Sequence, residues 1–215
     1  MDDIAVQVAR VLLDIGAVTF APQSPITFKS GMISPVYVDN RRLPYWPEQW
    51  QVVIQAFQQV INEHHIQFEV IAGIETAGIP HSAALGYIMR KPSVFVRKQP
   101  KDHGMKNRVE GGDVANKRVV LIEDLITTGG SSLSGIAALR TEGAIVEHCL
   151  IIVSYGFAQA TQAFEQAGVR LHTLTSFPVI VEEAVRRGQF NGQEQTMIEN
   201  WLRDPIHWAE QNGYD

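Results

Sequence analysis

One cysteine in 215 residues cannot close a disulfide within the chain, which agrees with a reducing compartment. That residue, Cys149, lies inside His148-Cys149-Leu150-Ile151-Ile152-Val153, the pattern of a core strand, so a buried, inert thiol is expected. No window approaches the roughly 18 uncharged apolar residues of a bilayer span. The start, Met1-Asp2-Asp3-Ile4, also lacks the basic stretch and apolar run of a secretory signal. The expectation is a cytoplasmic protein with no membrane partner. An excess of positive charge is missing too. The formal net charge is −5, whereas non-specific nucleic-acid binding wants a basic stripe, so no nucleic-acid partner is expected. The histidines His64, His65, His148, His172 and His207 have no partner at metal-ligand spacing. They are expected to be structural, as is His81, and no protein-held metal is expected.

What is present is a regular alternation of extended and helical patterns, the signature of an α/β protein with a central, mostly parallel sheet flanked by helices. Ile4, Val8, Val11, Leu12 and Ile15 form one face of a helix that ends near Gly16. The stretch 19–43 is rich in Pro, Ser and Gly and reads as loops and short strands. Helices are predicted over 48–65, 78–89, 131–141 and 158–167, and strands over 68–74, 93–97, 119–123, 149–153 and 171–175. The tail reads as helical from 179 onward, with 182–187 followed by 196–202 and with Trp201 and Trp208 as packing anchors. With 45% hydrophobic residues and no linker, the chain is expected to be a single domain over 1–215. Its core would be about 47–178, with a small hood from about 1–46, and the tail 179–215 a candidate second part of the hood.

The densest chemistry lies in Val119-Val120-Leu121-Ile122-Glu123-Asp124-Leu125-Ile126-Thr127-Thr128-Gly129-Gly130-Ser131. An apolar strand runs into two carboxylates and then into a hydroxyl- and glycine-rich turn that opens a helix. The carboxyl end of such a strand is where open α/β sheets bind ligands, and the free N–H groups of the following helix suit a phosphate. Glu123 and Asp124 are acceptor-only when ionised and suit the two hydroxyls of a ribose, while Thr127, Thr128 and Ser131 can donate to phosphate oxygens. An ordinary strand-turn-helix uses the same residue types. The adjacent acid pair argues against it, because two like charges there are costly unless something hydroxylated or cationic engages them. A Walker loop is excluded, since no Gly-Lys-Ser/Thr follows, and so is a dinucleotide fingerprint, since no G-x-G-x-x-G follows a strand. A second cluster, Arg97, Lys98, Lys101, His103, Lys106 and Arg108, concentrates cations that a polyanionic ligand of this acidic chain would need. The same run also reads as a solvated charged loop.

Val119 to Ser131 resembles the signature with which the type I phosphoribosyltransferases bind phosphoribosyl pyrophosphate (PRPP). Phe28 to Arg41, Arg97 to Gly104 and Ile122 to Ser131 further resemble, in order and spacing, the blocks of the orotate phosphoribosyltransferases. Ile71 to His81 and Ser154-Tyr155-Gly156-Phe157 are similar to the branch common in Gram-positive bacteria. The likeness covers nearly the whole chain and implies the type I fold and Mg-dependent transfer of phosphoribosyl from PRPP to orotate in UMP biosynthesis. It implies that Arg97, Lys98, Lys101, His103 and the run Glu123, Asp124, Leu125, Ile126, Thr127, Thr128, Gly129, Gly130 and Ser131 contact PRPP. Lys101, His103 and Asp124 would be catalytic, and Thr127 and Lys29 would bind orotate. Mg2+ would be held mainly by PRPP, and a homodimer would share loop residues across subunits.

Some readings stay open. Lys29 could equally be an exposed lysine, since some members of the branch place theirs where this chain has Ile33. Tyr37 could stack on a pyrimidine or fill the core, and Gly73 to Gly78 could meet pyrophosphate or form a tight turn. Where other members hold the orotate carboxylate with an arginine, this chain has Ser154-Tyr155-Gly156-Phe157, which leaves Arg41 and the backbone near Lys29 as candidate donors. A phosphoribosyltransferase for another base, or a PRPP-sensing regulator, is the alternative function.

Overall fold

The computed structural model describes residues 3–27, 31–99 and 107–214. Helix α1 (Ile4–Asp14) starts where the Asp3 side chain accepts from the Ala5 amide at 3.3 Å. Short strands β1 (Val18–Phe20), β2 (Ile26–Thr27), β3 (Ile33–Ser34) and β4 (Val36–Val38) follow, then a 3-10 helix (Asn40–Tyr45) and α2 (Pro47–Glu63). β1 pairs with β4 and β2 with β3, both antiparallel, in two small ladders separate from the main sheet. The chain continues through β5 (Val70–Ile74), α3 (Gly78–Met89), β6 (Ser93–Val96), β7 (Val109–Glu110), β8 (Arg118–Ile126) and α4 (Gly130–Thr141). It ends with β9 (Ile145–Ser154), α5 (Ala158–Gln166), β10 (Arg170–Ser176), α6 (Phe177–Arg186), α7 (Gly192–Arg203) and α8 (Trp208–Gln211).

Period-two alternation decides the core. Val119 and Leu121 pack with Ile136, Leu139 and Phe164 on one face, while Val120 and Ile122 pack with α1, α2 and α6 residues on the other. Each fully buried branched side chain of this kind contributes about 2 kcal/mol relative to exposure. The main sheet has six strands in the order β10-β9-β8-β5-β6-β7, all parallel except the β6–β7 pair. From β5 the chain moves outward to β6, then returns to the other side of β5 as β8 and continues outward through β9 and β10. The order therefore reverses between β5 and β8, and the crevice outside their carboxyl ends is the place where such sheets take ligands.

Two strands outrun the sequence-based expectation. β8 continues past the acid pair to Ile126 because Leu125 and Ile126 pair with Val153 and Ser154, and β9 begins at Ile145 rather than Cys149. The antiparallel edge strand β7 was not expected, since two residues carry no readable periodicity. α6 begins at Phe177, with Pro178 in its first turn, just ahead of the predicted start at 179. The tail packs on the hood segment. Trp201 Nε1 donates to the Ile33 carbonyl at 3.0 Å, and the Tyr214 hydroxyl to that of Pro22 at 3.2 Å. Both Trp201 and Trp208 are buried, the anchoring role expected of them. Among the described residues no helix is long and apolar enough to cross a membrane.

Candidate functional site

β8 pairs with β5 only over Val119–Ile122, so from Glu123 onward its β5-facing edge is released toward the crevice. Glu123 is buried, and Asp124 is half-buried. One Glu123 oxygen accepts from the Ser132 hydroxyl at 3.4 Å, and the other from the Asp124 amide at 3.1 Å. Burial raises the proton affinity of Glu123 well above the usual carboxylate range; the neighbouring Asp124 charge adds to this, and Lys98 opposes it. Asp124 is raised as well, again by burial, with Arg41 among the groups that pull it back down. Two carboxylates held against their ionisation are poised for hydroxyl donors or developing positive charge.

Thr127 and Thr128 form the turn after β8, and Gly129 caps α4 with φ +85°. A side chain at Gly129 would also meet the Phe164 ring at 2.8 Å, so only glycine suits the turn. The first backbone bond into α4 runs from the Leu133 amide to Gly129, 2.9 Å, which leaves the amides of Gly130, Ser131 and Ser132 ahead of it. No side chain caps this end. That is a helix start suited to an anion. Leu125 and Ile126, by contrast, turn their side chains into the two cores, so any ligand contact from them would be through the backbone.

Lys98 and Arg97 follow β6. The Lys98 amide donates to Glu75 Oε2 at 2.9 Å, and Arg97 Nη1 lies 3.5 Å from Glu110. Arg108 is drawn away to α4, where its Nη1 donates to the Ser134 hydroxyl at 2.9 Å. Gly78 meets the Ile122 carbonyl so closely that a Cβ would sit 2.6 Å from it, and Gly73 packs against Gly78 and Ser82. The Gly73 to Gly78 segment is thus a close-packing turn, whose Glu75–Thr76 peptide is cis. Lys29, Lys101, His103 and Lys106 lie outside the described residues.

The hood supplies residues that motif reading did not single out. The Asn40 side chain donates to the Asp124 carbonyl at 2.9 Å, tying the 3-10 helix to the released edge of β8. Tyr37 is half-buried, and its hydroxyl accepts from Arg41 Nη2 at 2.8 Å. Tyr155, after β9, is buried among Phe157, Phe177 and Trp201, with ring centroids 5.3–5.7 Å away. Asn40 and Ser132 carried no sequence signal beyond adjacency to motif residues.

The remaining titratable groups lie elsewhere. His81 is fully buried, accepts from Trp50 Nε1 at 2.9 Å, and is pushed by burial down to about 4, hence neutral. Sheet pairing brings His148 Nδ1 within 3.0 Å of His172 Nε2, a contact between separate strands that residue spacing does not reveal. Burial lowers His172 to about 4. Among the described residues no group of three or more His, Cys, Asp or Glu is placed to hold a metal. Cys149 is buried, and burial drives its thiol upward, consistent with an inert core residue.

Residues 42–175 match the family model of the phosphoribosyl transferase domain. The chain is 39% identical over 204 residues to an orotate phosphoribosyltransferase of Coxiella burnetii, covering 95% of this chain and 98% of that one. The structure is similar to that of orotate phosphoribosyltransferase from Aeropyrum pernix, with a TM-score of 0.73 and 30% identity over 86% of this chain and 99% of that one. It is also similar to UMP synthase of Leishmania donovani, with a TM-score of 0.79 and 26% identity over 92% of this chain. This chain spans 42% of the length of that UMP synthase.

Proposed function

The chain belongs to the orotate phosphoribosyltransferases, within the phosphoribosyl transferase domain family, and on that premise we propose that the crevice at β8 moves the phosphoribosyl group of PRPP onto orotate. The products are orotidine 5′-monophosphate and pyrophosphate. The observation that carries this reading is a buried carboxylate pair placed directly ahead of a glycine-opened helix at the switch point of the sheet. Glu123 and Asp124 accept from the ribose hydroxyls, and the turn 127–131 with the first amides of α4 receives the 5′-phosphate. The C1–oxygen bond to pyrophosphate breaks, and its electron pair leaves with the pyrophosphate. The base nitrogen supplies the pair for the new C1–N bond and releases its proton to solvent. Positive charge that develops on the sugar is stabilised by the acid pair, which needs no reorganisation to do so.

Lys98 and Arg97 stand on the leaving-group side. Lys101 and His103, from the basic segment 100–106, are assigned to the same pyrophosphate, with that segment shared between the subunits of a homodimer. Thr127 and Lys29 are assigned to the base. The two carboxylates are too few for an all-protein cage, so Mg2+ would be held mainly by PRPP oxygens. When bound it neutralises charge on the departing pyrophosphate. The chain is a single domain in which α1 and α6 pack into the core, while the segment 18–46 and the tail from α7 onward form one cover, and the enzyme works in the cytoplasm.

The test is the loss of orotate's ultraviolet absorbance with PRPP and Mg2+, run beside uracil and adenine and beside Lys101→Ala. Rapid loss with orotate alone, cut at least about 100-fold by the substitution, is the expected result. Turnover of another base in place of orotate, or of none, would overturn it.

A further inference from the structure

The reaction proposed above, on which this inference rests, brings an anionic base to the carbon that an anionic pyrophosphate leaves. The two must lie on opposite sides of that carbon, so each needs its own cation. The described residues place a different cation near each member of the acid pair, Lys98 near Glu123 and Arg41 near Asp124. Lys98 follows β6, beside Glu75, and acts on Glu123. Arg41 belongs to the hood, and it directly follows Asn40, whose side chain is bound to the Asp124 carbonyl at 2.9 Å.

Arg41 is built as a prepared fork. Its Nε is 2.5 Å from Asp39 Oδ1, and its Nη2 donates to the Tyr37 hydroxyl at 2.8 Å. Nη1 has no protein acceptor among the described residues, and the side chain is 58% exposed. A guanidinium held at two of its nitrogens has already lost most of its rotamer freedom, so a further anion binds at low entropic cost. Asn40 adds a second sign of a missing partner: Oδ1 is wholly buried and has no donor among the described residues. Other described cations are spent differently. Arg42 Nη1 donates to the Gly16 carbonyl at 2.7 Å, and the segment after β9 offers the buried Tyr155 instead of a charge. Arg203 is the rival, since it lines with Thr128 an open cleft of about 390 Å³ beside the phosphate turn.

We propose that Arg41 determines specificity for the acceptor base, presenting Nη1 to the base's carboxylate from the hood side of Asp124 while Tyr37 and Asp39 hold the fork in place. A surface ion pair of no functional weight is the competing account. It predicts that Arg41→Ala changes nothing selectively.

The experiment compares wild type, Arg41→Ala, Arg41→Lys and Arg203→Ala with orotate and with uracil, the same ring lacking the carboxylate. Arg41→Ala should raise the KM for orotate and lower its kcat/KM about 100-fold, with the KM for PRPP unchanged and the uracil rate within about twofold. Arg41→Lys should recover only part, because a point charge lacks the fork. An unchanged orotate preference, an equal loss for both bases, or a collapse of preference in Arg203→Ala instead would each overturn the proposal. If wild type fails to turn over orotate at all, the proposed function falls first, and this assignment falls with it.

Discussion

Two glutamates are hidden almost equally, Glu123 at 5% exposure and Glu183 at 4%, yet their surroundings are opposites. Glu183, on α6, accepts from Arg10 of α1 at 3.0 Å and Arg187 at 3.3 Å, and is paired with Arg186 as well. Arg187 then extends to Asp14 at 2.6 Å, so the cluster joins the first helix to the sixth. Glu123 accepts from the Ser132 hydroxyl and a backbone amide, and its neighbour is another carboxylate. A buried carboxylate that the protein surrounds with arginines is part of the fold. One that the protein sets beside a second carboxylate stores a cost that a ligand can offset.

Breaking the comparison at its functional end gives the largest effect. Asp124→Asn should lower kcat about 1,000-fold while the melting temperature stays level or rises, because a charge aimed at the developing sugar cation is lost and a buried repulsion with it. Steady-state kinetics beside a thermal melt reads both. Glu183→Gln should do the reverse. Its arginine partners are partly exposed and rehydrate, so the loss is about 2 kcal/mol of stability, or roughly 6 °C at this size, with kcat of the folded enzyme within about twofold. A melt unchanged by Glu183→Gln would remove the structural half of the comparison.

The smallest effect is in pH dependence, and its sign follows from the raised Glu123. Between the ordinary carboxylate range and the raised value the folded protein holds more protons than the unfolded chain. The favourable contribution is therefore complete below the ordinary range and is lost as pH rises through the folded value. Glu123→Gln cannot titrate there. Its stability relative to wild type should grow as pH rises above the ordinary carboxylate range and should be least at the acid end, as denaturant unfolding at a series of pH values would measure.

Much of the site was legible because its residues are contiguous. The apolar run 119–122, the acid pair and the hydroxyl–glycine turn sit on one strand and one helix start, where local pattern and position in the sheet coincide. What escaped was set by pairing across long sequence separations. Leu125 and Ile126 look like part of the turn until their register with Val153 and Ser154 makes them strand. Asn40 reaches Asp124 across 84 positions and Trp201 reaches Ile33 across 168, contacts no periodicity announces. Tyr155 illustrates the same limit, since nothing in Ser154-Tyr155-Gly156-Phe157 says that the ring is enclosed by Phe177 and Trp201.

The central claim is that the acid pair is maintained at the expense of stability because the reaction uses it. Thermal unfolding and orotate turnover measured on the same preparation of Glu123→Gln test this most directly. The account predicts a higher melting temperature together with turnover reduced at least about 100-fold. A lower melting temperature with turnover retained would contradict it, and would place Glu123 with Glu183 among the residues that hold the fold.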